Sequence, residues 1–277
     1  MSAPVKLAGF AVAVAALVAA GALAGAVSGA SAPGGERAAE GHGEGEMAMS
    51  MPAVRGLSVA ADGLRLVVED PERRRGAAQP LRFRIVDGQG RAVRHYDVEH
   101  TKRMHLIVAR RDLTGFQHLH PTLRADGTWT APLELREAGA YRVFADFSRG
   151  GRPVTLASDL RVDGPADLRA LPAPVPAAST GRYDVRLAAR APRAGREATL
   201  RFTILRDGVP VRTEPYLGAG GHLVALRDGD LAFLHVHPTD GVGFEATFPT
   251  AGAYRLFLQF KHAGRVRTVA FTQEVGA

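Results

Sequence analysis

The chain has 277 residues, enough for two domains of ordinary size, and its 46% hydrophobic and 23% charged residues are typical of a globular protein. The net charge of +7 comes from arginines scattered through both halves without interleaved aromatic residues, which argues against a nucleic-acid partner. Cysteine is absent, so any metal must be held by histidine, methionine, carboxylate or backbone groups, and four-thiolate zinc sites are excluded.

The first element, residues 1–30, is an apolar segment. Residues 7–30 carry no charge, and they exceed the roughly 20 residues that a membrane-spanning helix needs, so we expect an apolar helix. Ser28-Gly29-Ala30 would also serve as a signal-peptide cleavage site, which leaves a cleaved leader and an uncleaved anchor open. In both cases Lys6 stays on the cytoplasmic side. We therefore expect an extracytoplasmic protein, secreted or anchored to the cell membrane by this segment.

Residues 31–55 are rich in small and polar residues and have too little bulk for a core, which predicts a flexible tether. Near its end, three of the five methionines of the chain alternate along the sequence, close to one histidine: Met47, Met49, Met51 and His42. Thioethers are soft ligands that prefer Cu(I), so these four residues are a candidate auxiliary copper site. The alternative is a low-complexity segment with chance methionines.

The remaining sequence predicts two domains, at 56–163 and 182–277, joined by a proline- and alanine-rich linker at 164–181. Short runs in both domains alternate apolar and polar residues, as at 81–86, and turn signals such as Asp87-Gly88 separate them. A long helical period is absent. The expected fold is therefore all-β, with two tandem immunoglobulin-like antiparallel β-sandwiches after the N-terminal helix and tether.

The second domain repeats the first. Residues 105–121, HLIVARRDLTGFQHLHP, align without a gap on residues 222–238, HLVALRDGDLAFLHVHP, and both copies retain three histidines and the final proline. The stretch EAGAYRVF at 137–144 also parallels TAGAYRLF at 250–257. An internal duplication explains these matches together.

The repeated element has the residues for a metal site. Side chains two apart in a strand project to the same face, and the third histidine joins them across a hairpin if the loop holds an even number of residues. Imidazoles without thiolates suit copper, or less strongly zinc. The candidate ligands of the two copies are His105, His118, His120, His222, His235 and His237, and Met104 is added in the first copy. With His95 and His100 nearby, the first copy has more candidate ligands.

Two alternatives to a metal site are weighed against it. The histidines could be structural residues at strand ends, duplicated because the whole domain was, in a cell-envelope or surface interaction module without metal. An enzyme is not expected, because the sequence has no nucleophile elbow, no phosphate-binding glycine-rich loop and no His-Glu-x-x-His motif.

The motif Met104-His105-Leu106-Ile107-Val108, followed by Phe116-Gln117-His118-Leu119-His120-Pro121, resembles an exported bacterial family of β-sandwich proteins associated with heavy-metal handling. The general plan is similar to periplasmic copper-resistance carriers, which are immunoglobulin-like sandwiches with histidine and methionine ligands. This resemblance implies a copper-binding, non-enzymatic protein whose partner is the metal ion. Its motifs cover the two repeated elements, and the methionine cluster here lies on the tether rather than in the folded domain.

Overall fold

The computed structural model describes residues 54–234 and 236–277, which belong to one compact unit. These residues form strands, turns and loops, and the described ranges contain no helix and hence no helix able to span a membrane. The apolar helix expected at 1–30 and the tether up to residue 53 lie outside the described residues. All but one of the strand pairs in the four sheets are antiparallel; the exception is β10 at Arg152–Val162 with β3 at Glu72–Arg73.

The first sandwich consists of two five-stranded sheets, in the orders β1-β2-β4-β8-β7 and β3-β10-β9-β5-β6. Its strands, in chain order, are β1 Ala60–Ala61, β2 Leu64–Val68, β3 Glu72–Arg73, β4 Gly76–Asp87, β5 His105–Arg110, β6 Gln117–Leu119, β7 Thr122–Leu123, β8 Trp129–Leu135, β9 Gly139–Arg149 and β10 Arg152–Val162.

The second sandwich repeats this arrangement with sheets in the orders β11-β12-β13-β18-β17, to which β14 adds along β13, and β16-β15-β19-β20. Its strands are β11 Ala177–Thr180, β12 Tyr183–Ala189, β13 Glu197–Arg206, β14 Val209–Pro210, β15 His222–Arg227, β16 Phe233–Leu234, β17 His237–Thr239, β18 Gly243–Thr247, β19 Gly252–His262 and β20 Arg265–Val275.

Each sandwich encloses a core between its two sheets. Strand β8 shows how the sequence builds it, because Trp129, Ala131, Leu133 and Leu135 are buried while the residues between them are more exposed. This period of two places one face of the strand on the core and the other towards solvent. Strand β5 differs, because all six of its residues are buried.

The extra burial of β5 arises because the two sandwiches pack against each other. Each does so through the sheet that contains β5 or β15, and we call these two sheets the inner sheets. Ile107 and Phe144 of the first sandwich share an apolar cluster with Val224 and Phe257 of the second. Two aromatic pairs cross this interface: the rings of Phe116 and Phe257 stack with centroids 4.0 Å apart. The corresponding residues of the other copy, Phe233 and Phe144, lie 5.7 Å apart. Equivalent surfaces thus meet as in a two-fold dimer, within one chain.

The segment between the sandwiches differs from the expected linker at 164–181. Its last residues form β11, which pairs with β12. Its first part is attached to the first sandwich by the buried Arg110, which pairs with Asp112 and donates a hydrogen bond to the Asp167 carbonyl at 2.8 Å. The amide of Arg169 donates to Asp112 Oδ2 at 2.9 Å. Proline and alanine content alone does not reveal these contacts, because they are made to side chains far along the chain.

Candidate metal site

Three histidines of the first repeated element converge on one face of the inner sheet. Strand β6 pairs with β5 so that His118 lies opposite Ile107, which places His120 opposite His105 by the same register. Six residues, an even number, separate the two strands. Since residues opposite each other or two apart share a face, the three histidines point to the same side. The sequence predicts this convergence, and the geometry agrees with it.

The three rings are close enough to share an ion. One nitrogen of each of His105, His118 and His120 lies within 4.8 Å of the others. The nearest pair, His105 Nδ1 and His118 Nε2, is 3.0 Å apart. Two nitrogens bonded to one ion at about 2.0–2.1 Å would be roughly 2.9–3.4 Å apart for angles between square and tetrahedral. The separation of the nearest pair therefore already fits joint coordination. We name these three residues the histidine triad.

Two histidines of the triad have an oxygen acceptor beside their outer ring nitrogen. His105 Nε2 lies 3.3 Å from the carbonyl oxygen of Glu99, and His118 Nδ1 lies 2.6 Å from Oε1 of Gln259. Both oxygens only accept, so each ring donates its N–H outward. In a neutral ring the second nitrogen then carries a lone pair. In this tautomer state His105 Nδ1 and His118 Nε2 face each other as two acceptors, and a cation between them would satisfy both.

The triad is neutral at physiological pH because it is shielded from water. Burial lowers the pKa of His105 to about 4, that of His118 to about 3 and that of His120 to about 4. In addition, His120 Nε2 is buried without a hydrogen-bond partner. A buried polar atom left without a partner destabilises the fold by about 1–3 kcal/mol unless something binds it. Neutral imidazole is the form that ligates metals.

A turn before β5 encloses one side of the triad. Glu99 and Lys102 exchange backbone hydrogen bonds of 2.8 Å, and the two residues between them, His100 and Thr101, have φ angles of 47° and 67°. Left-handed backbone is costly for a β-branched residue such as threonine, and such strain concentrates at functional sites. The turn directs the Glu99 carbonyl to His105 and places the ring of His100 6.0 Å from that of His105.

The second sandwich contributes to the same place. The ring of His222, the first residue of β15, lies 4.6 Å from that of His118 and 5.5 Å from that of His105. Gln259, which is paired with His222 in the sheet, supplies the hydrogen bond to His118 and itself donates to Thr268 Oγ1 at 3.3 Å. The sequence leaves open whether the two copies bind separately or share one ion, and the structure places His222 beside the histidines of the first copy.

Other candidate ligands lie elsewhere. Met104 is 1% exposed and belongs to the core of the first sandwich, because its side chain points to the face opposite that of its neighbour His105. This corrects its assignment to the site. His237 is exposed at the start of β17, in the outer sheet, where it pairs with Glu245. The predicted ligands His235, His42, Met47, Met49 and Met51 lie outside the described residues.

Sequence reasoning missed Gln259 and the partnership of His222 with the first copy. One signal was available: β5 and β15 each contain four consecutive apolar residues after the histidine, Leu106 to Ala109 and Leu223 to Leu226. Such runs are typical of strands buried on both faces, which indicates a second layer against each inner sheet. These apolar residues do not indicate that the second layer is the other copy of the domain.

Comparison with known proteins identifies the family. The protein-family model described as Domain of unknown function (DUF8832) matches residues 58–164 and again residues 177–277. The chain belongs to this family. It contains two copies of the DUF8832 domain, in line with the duplication seen in the sequence. No curated protein matches the chain.

Solved structures match only distantly. The Escherichia coli adhesin FdeC is 15% identical over 79% of this chain and 66% of its own, with a TM-score of 0.29. Salmonella alpha-2-macroglobulin is 14% identical over 80% of this chain and 15% of its own, with a TM-score of 0.29. Yersinia pseudotuberculosis InvD is 13% identical over 78% and 58%, with a TM-score of 0.27. The chain spans less than two thirds of the length of each.

Proposed function

We propose that this protein binds a metal ion, copper in preference to zinc, through His105, His118 and His120. The observation that carries the proposal is the contact between His105 Nδ1 and His118 Nε2, 3.0 Å apart, with an oxygen acceptor next to the outer nitrogen of each ring. When each ring donates its N–H to that oxygen, two lone pairs face each other at this distance, and a cation between them forms a bond with both. Outward N–H donation to a carbonyl or amide oxygen is the usual support of metal-binding histidines.

The donor set favours copper. Neutral imidazole nitrogens without thiolates suit copper, zinc and nickel, and copper binds such sites most tightly among the divalent ions. The resemblance to exported copper-handling sandwiches points the same way, as does the tether with Met47, Met49, Met51 and His42, which we propose as an auxiliary Cu(I) site. An extracytoplasmic location, by secretion or through an anchor at 1–30, belongs to this proposal. No catalytic role is proposed.

The rival function is a cell-envelope or surface interaction module of immunoglobulin-like domains, in which the histidines only pack the interface between the sandwiches. The two functions differ in what removal of the triad does to metal binding. Packing residues can be replaced without changing the stoichiometry of bound metal, whereas ligands cannot.

The test is a calorimetric titration of the metal-free full chain, purified in detergent, with Cu(II) and separately with Zn(II). We expect one Cu(II) equivalent bound with a dissociation constant below roughly 1 μM, or about −8 kcal/mol, that disappears in the variant carrying His105→Ala, His118→Ala and His120→Ala. The matched control is His95→Ala, which replaces an exposed histidine outside the triad. Unchanged binding in the triple variant would overturn the proposal and favour the rival.

The same experiment tests whether the tether accounts for the bound Cu(II). Because His42 and the three tether methionines are additional candidate ligands, a variant with all four replaced by alanine is titrated alongside. We expect it to keep the equivalent that the triad binds. Zn(II) provides a second control, since thioethers contribute little to zinc binding.

A further inference from the structure

Histidines from both sandwiches line a single site, and this bears on how the ion is held. The ring of His222, from the second sandwich, has its centroid 4.6 Å from that of His118 and 5.5 Å from that of His105. We propose that His222 is the fourth ligand, so that the two sandwiches share one ion between them. This inference rests on the proposed metal binding by the triad and adds the ligand that the triad lacks.

The ring separations fit a shared ion. Imidazoles bonded to one ion at about 2.0–2.1 Å have centroids roughly 4.5 Å apart at a right angle and roughly 5.5 Å apart at a trigonal angle. The centroid separations within the triad are 5.2, 5.3 and 4.8 Å. Those from His222 to His118 and His105, 4.6 and 5.5 Å, lie in the same interval. His222 is not part of the group whose nitrogens already lie within 4.8 Å of one another, so its side chain has to turn towards the triad to bring a nitrogen to the ion.

The duplication explains why His222 is in this position. His105 begins β5 and His222 begins β15, so the two are equivalent residues of the two copies. The inner sheets pack face to face through the apolar cluster that contains Ile107 and Val224. Residues two positions earlier in each strand point to that same face, towards the partner sandwich. Equivalent histidines therefore meet where the two sheets end.

The two sandwiches are also held in register at this point. Gln259 of the second sandwich is 6% exposed and accepts a hydrogen bond of 2.6 Å from His118 of the first. Since Gln259 pairs directly with His222 in the sheet, the residue that orients one ligand is adjacent to the proposed fourth ligand. If the two sandwiches moved independently, both the hydrogen bond from His118 to Gln259 and the position of His222 beside His118 would be lost.

A fourth nitrogen changes what the site can do. Three protein ligands leave a metal with an open position for water or substrate, as in catalytic sites, whereas four close it, as in structural or storage sites. A closed set of four neutral imidazoles is suited to hold an ion, and it makes the metal a link between the sandwiches.

The test uses His222→Phe, which keeps an aromatic ring against His118 and His105 but removes both nitrogens. Electron paramagnetic resonance of the full chain loaded with one Cu(II) equivalent counts the coordinated nitrogens. We expect four in the wild type and three in His222→Phe, together with at least a tenfold loss of Cu(II) affinity. His95→Phe is the matched control and should resemble the wild type.

The outcomes separate the two proposals. If His222→Phe keeps the wild-type nitrogen count and affinity while the triple triad variant loses binding, the triad binds metal and His222 only packs, which overturns this inference alone. If the triad variant binds as the wild type does, or the wild type binds no metal, the proposed function fails and this inference fails with it. A fall in nitrogen count on His222→Phe supports the shared ion, because packing alone does not alter that number.

Discussion

Replacement of Gln259 by leucine separates metal binding from packing at the interface. In the metal-bound protein, His118 must keep its proton on Nδ1, because Nε2 carries the lone pair that binds the ion, and Gln259→Leu leaves that N–H without its acceptor. In the metal-free protein, the proton can instead move to Nε2 and be donated to His105 Nδ1, which is 3.0 Å away. The penalty of about 1–3 kcal/mol for a buried unpaired donor therefore falls on the bound state.

This penalty corresponds to a loss of roughly 10–100-fold in metal affinity, about 1.4–2.7 kcal/mol, which is the range typical for outer hydrogen-bond partners of metal ligands. Unfolding of the metal-free variant in urea should show a loss of only about 1 kcal/mol, the value of one hydrogen bond. Gln259→Glu keeps an acceptor at the same place and should bind copper at least as tightly as the wild type.

Calorimetric titration with Cu(II) measures these affinities, and Gln273→Leu is the matched control. Gln273 lies in the same sandwich, and its side-chain amide donates to the carbonyl of its neighbour Glu274. The reasoning is refuted if Gln259→Leu binds Cu(II) with wild-type affinity, or if Gln273→Leu weakens binding as strongly.

Three further predictions concern stability, each measured by urea unfolding of the metal-free protein. Phe257→Ala should lower the free energy of unfolding by about 3–5 kcal/mol, because it removes a buried ring from the interface. The control Val209→Ala, at an exposed position, should change it by no more than about 0.5 kcal/mol. Equal effects of the two variants would contradict the packing of Phe257 at the interface. Arg110→Met should cost about 3–5 kcal/mol, since the Asp112 carboxylate stays buried without its partner. Adding Asp112→Leu should recover part of this loss and not all of it, because Asp112 also accepts from the Arg169 amide and from Thr114; no recovery would argue against the pair. Finally, the free energy of unfolding should fall as the pH is lowered from about 6.5 to about 4. The triad histidines have pKa values of about 3 to 4 in the folded protein and about 6.5 in the unfolded chain, so the unfolded chain binds more protons in that window. Asp146, whose pKa burial raises to about 6, acts in the opposite direction as a single group, and a stability that rose towards pH 4 would refute the neutral, buried state of the triad.

Much of the fold was readable from local pattern. The alternation at 81–86, which lies within β4, and the turn residues Asp87 and Gly88 predict a strand and its end, because side chains on successive strand residues face opposite sides. The duplication needed only the comparison of one part of the chain with another. The meeting of His105, His118 and His120 was predicted on the condition of an even loop, and the structure supplies the six-residue loop that meets it.

Other parts of the site depended on long-range packing. The sequence suggests that Met104 accompanies its neighbour His105, but the strand period sends the two side chains to opposite faces, and only the position of the core shows which face is which. Gln259 carries no motif, and it lies 141 positions along the chain from the histidine that it orients. Gln259 contacts His118 because β19 lies at the interface between the sandwiches, next to the end of β6.

The sequence by itself determined an all-β chain with a repeated histidine element, since these follow from local pattern and from the comparison of one part of the chain with another. The tertiary structure decided that the two copies pack through equivalent sheets, so that His222 joins the triad instead of leading a separate site. The physical reason is burial: inner strands that are apolar on both faces need a second layer, and the other copy of the same sheet supplies it.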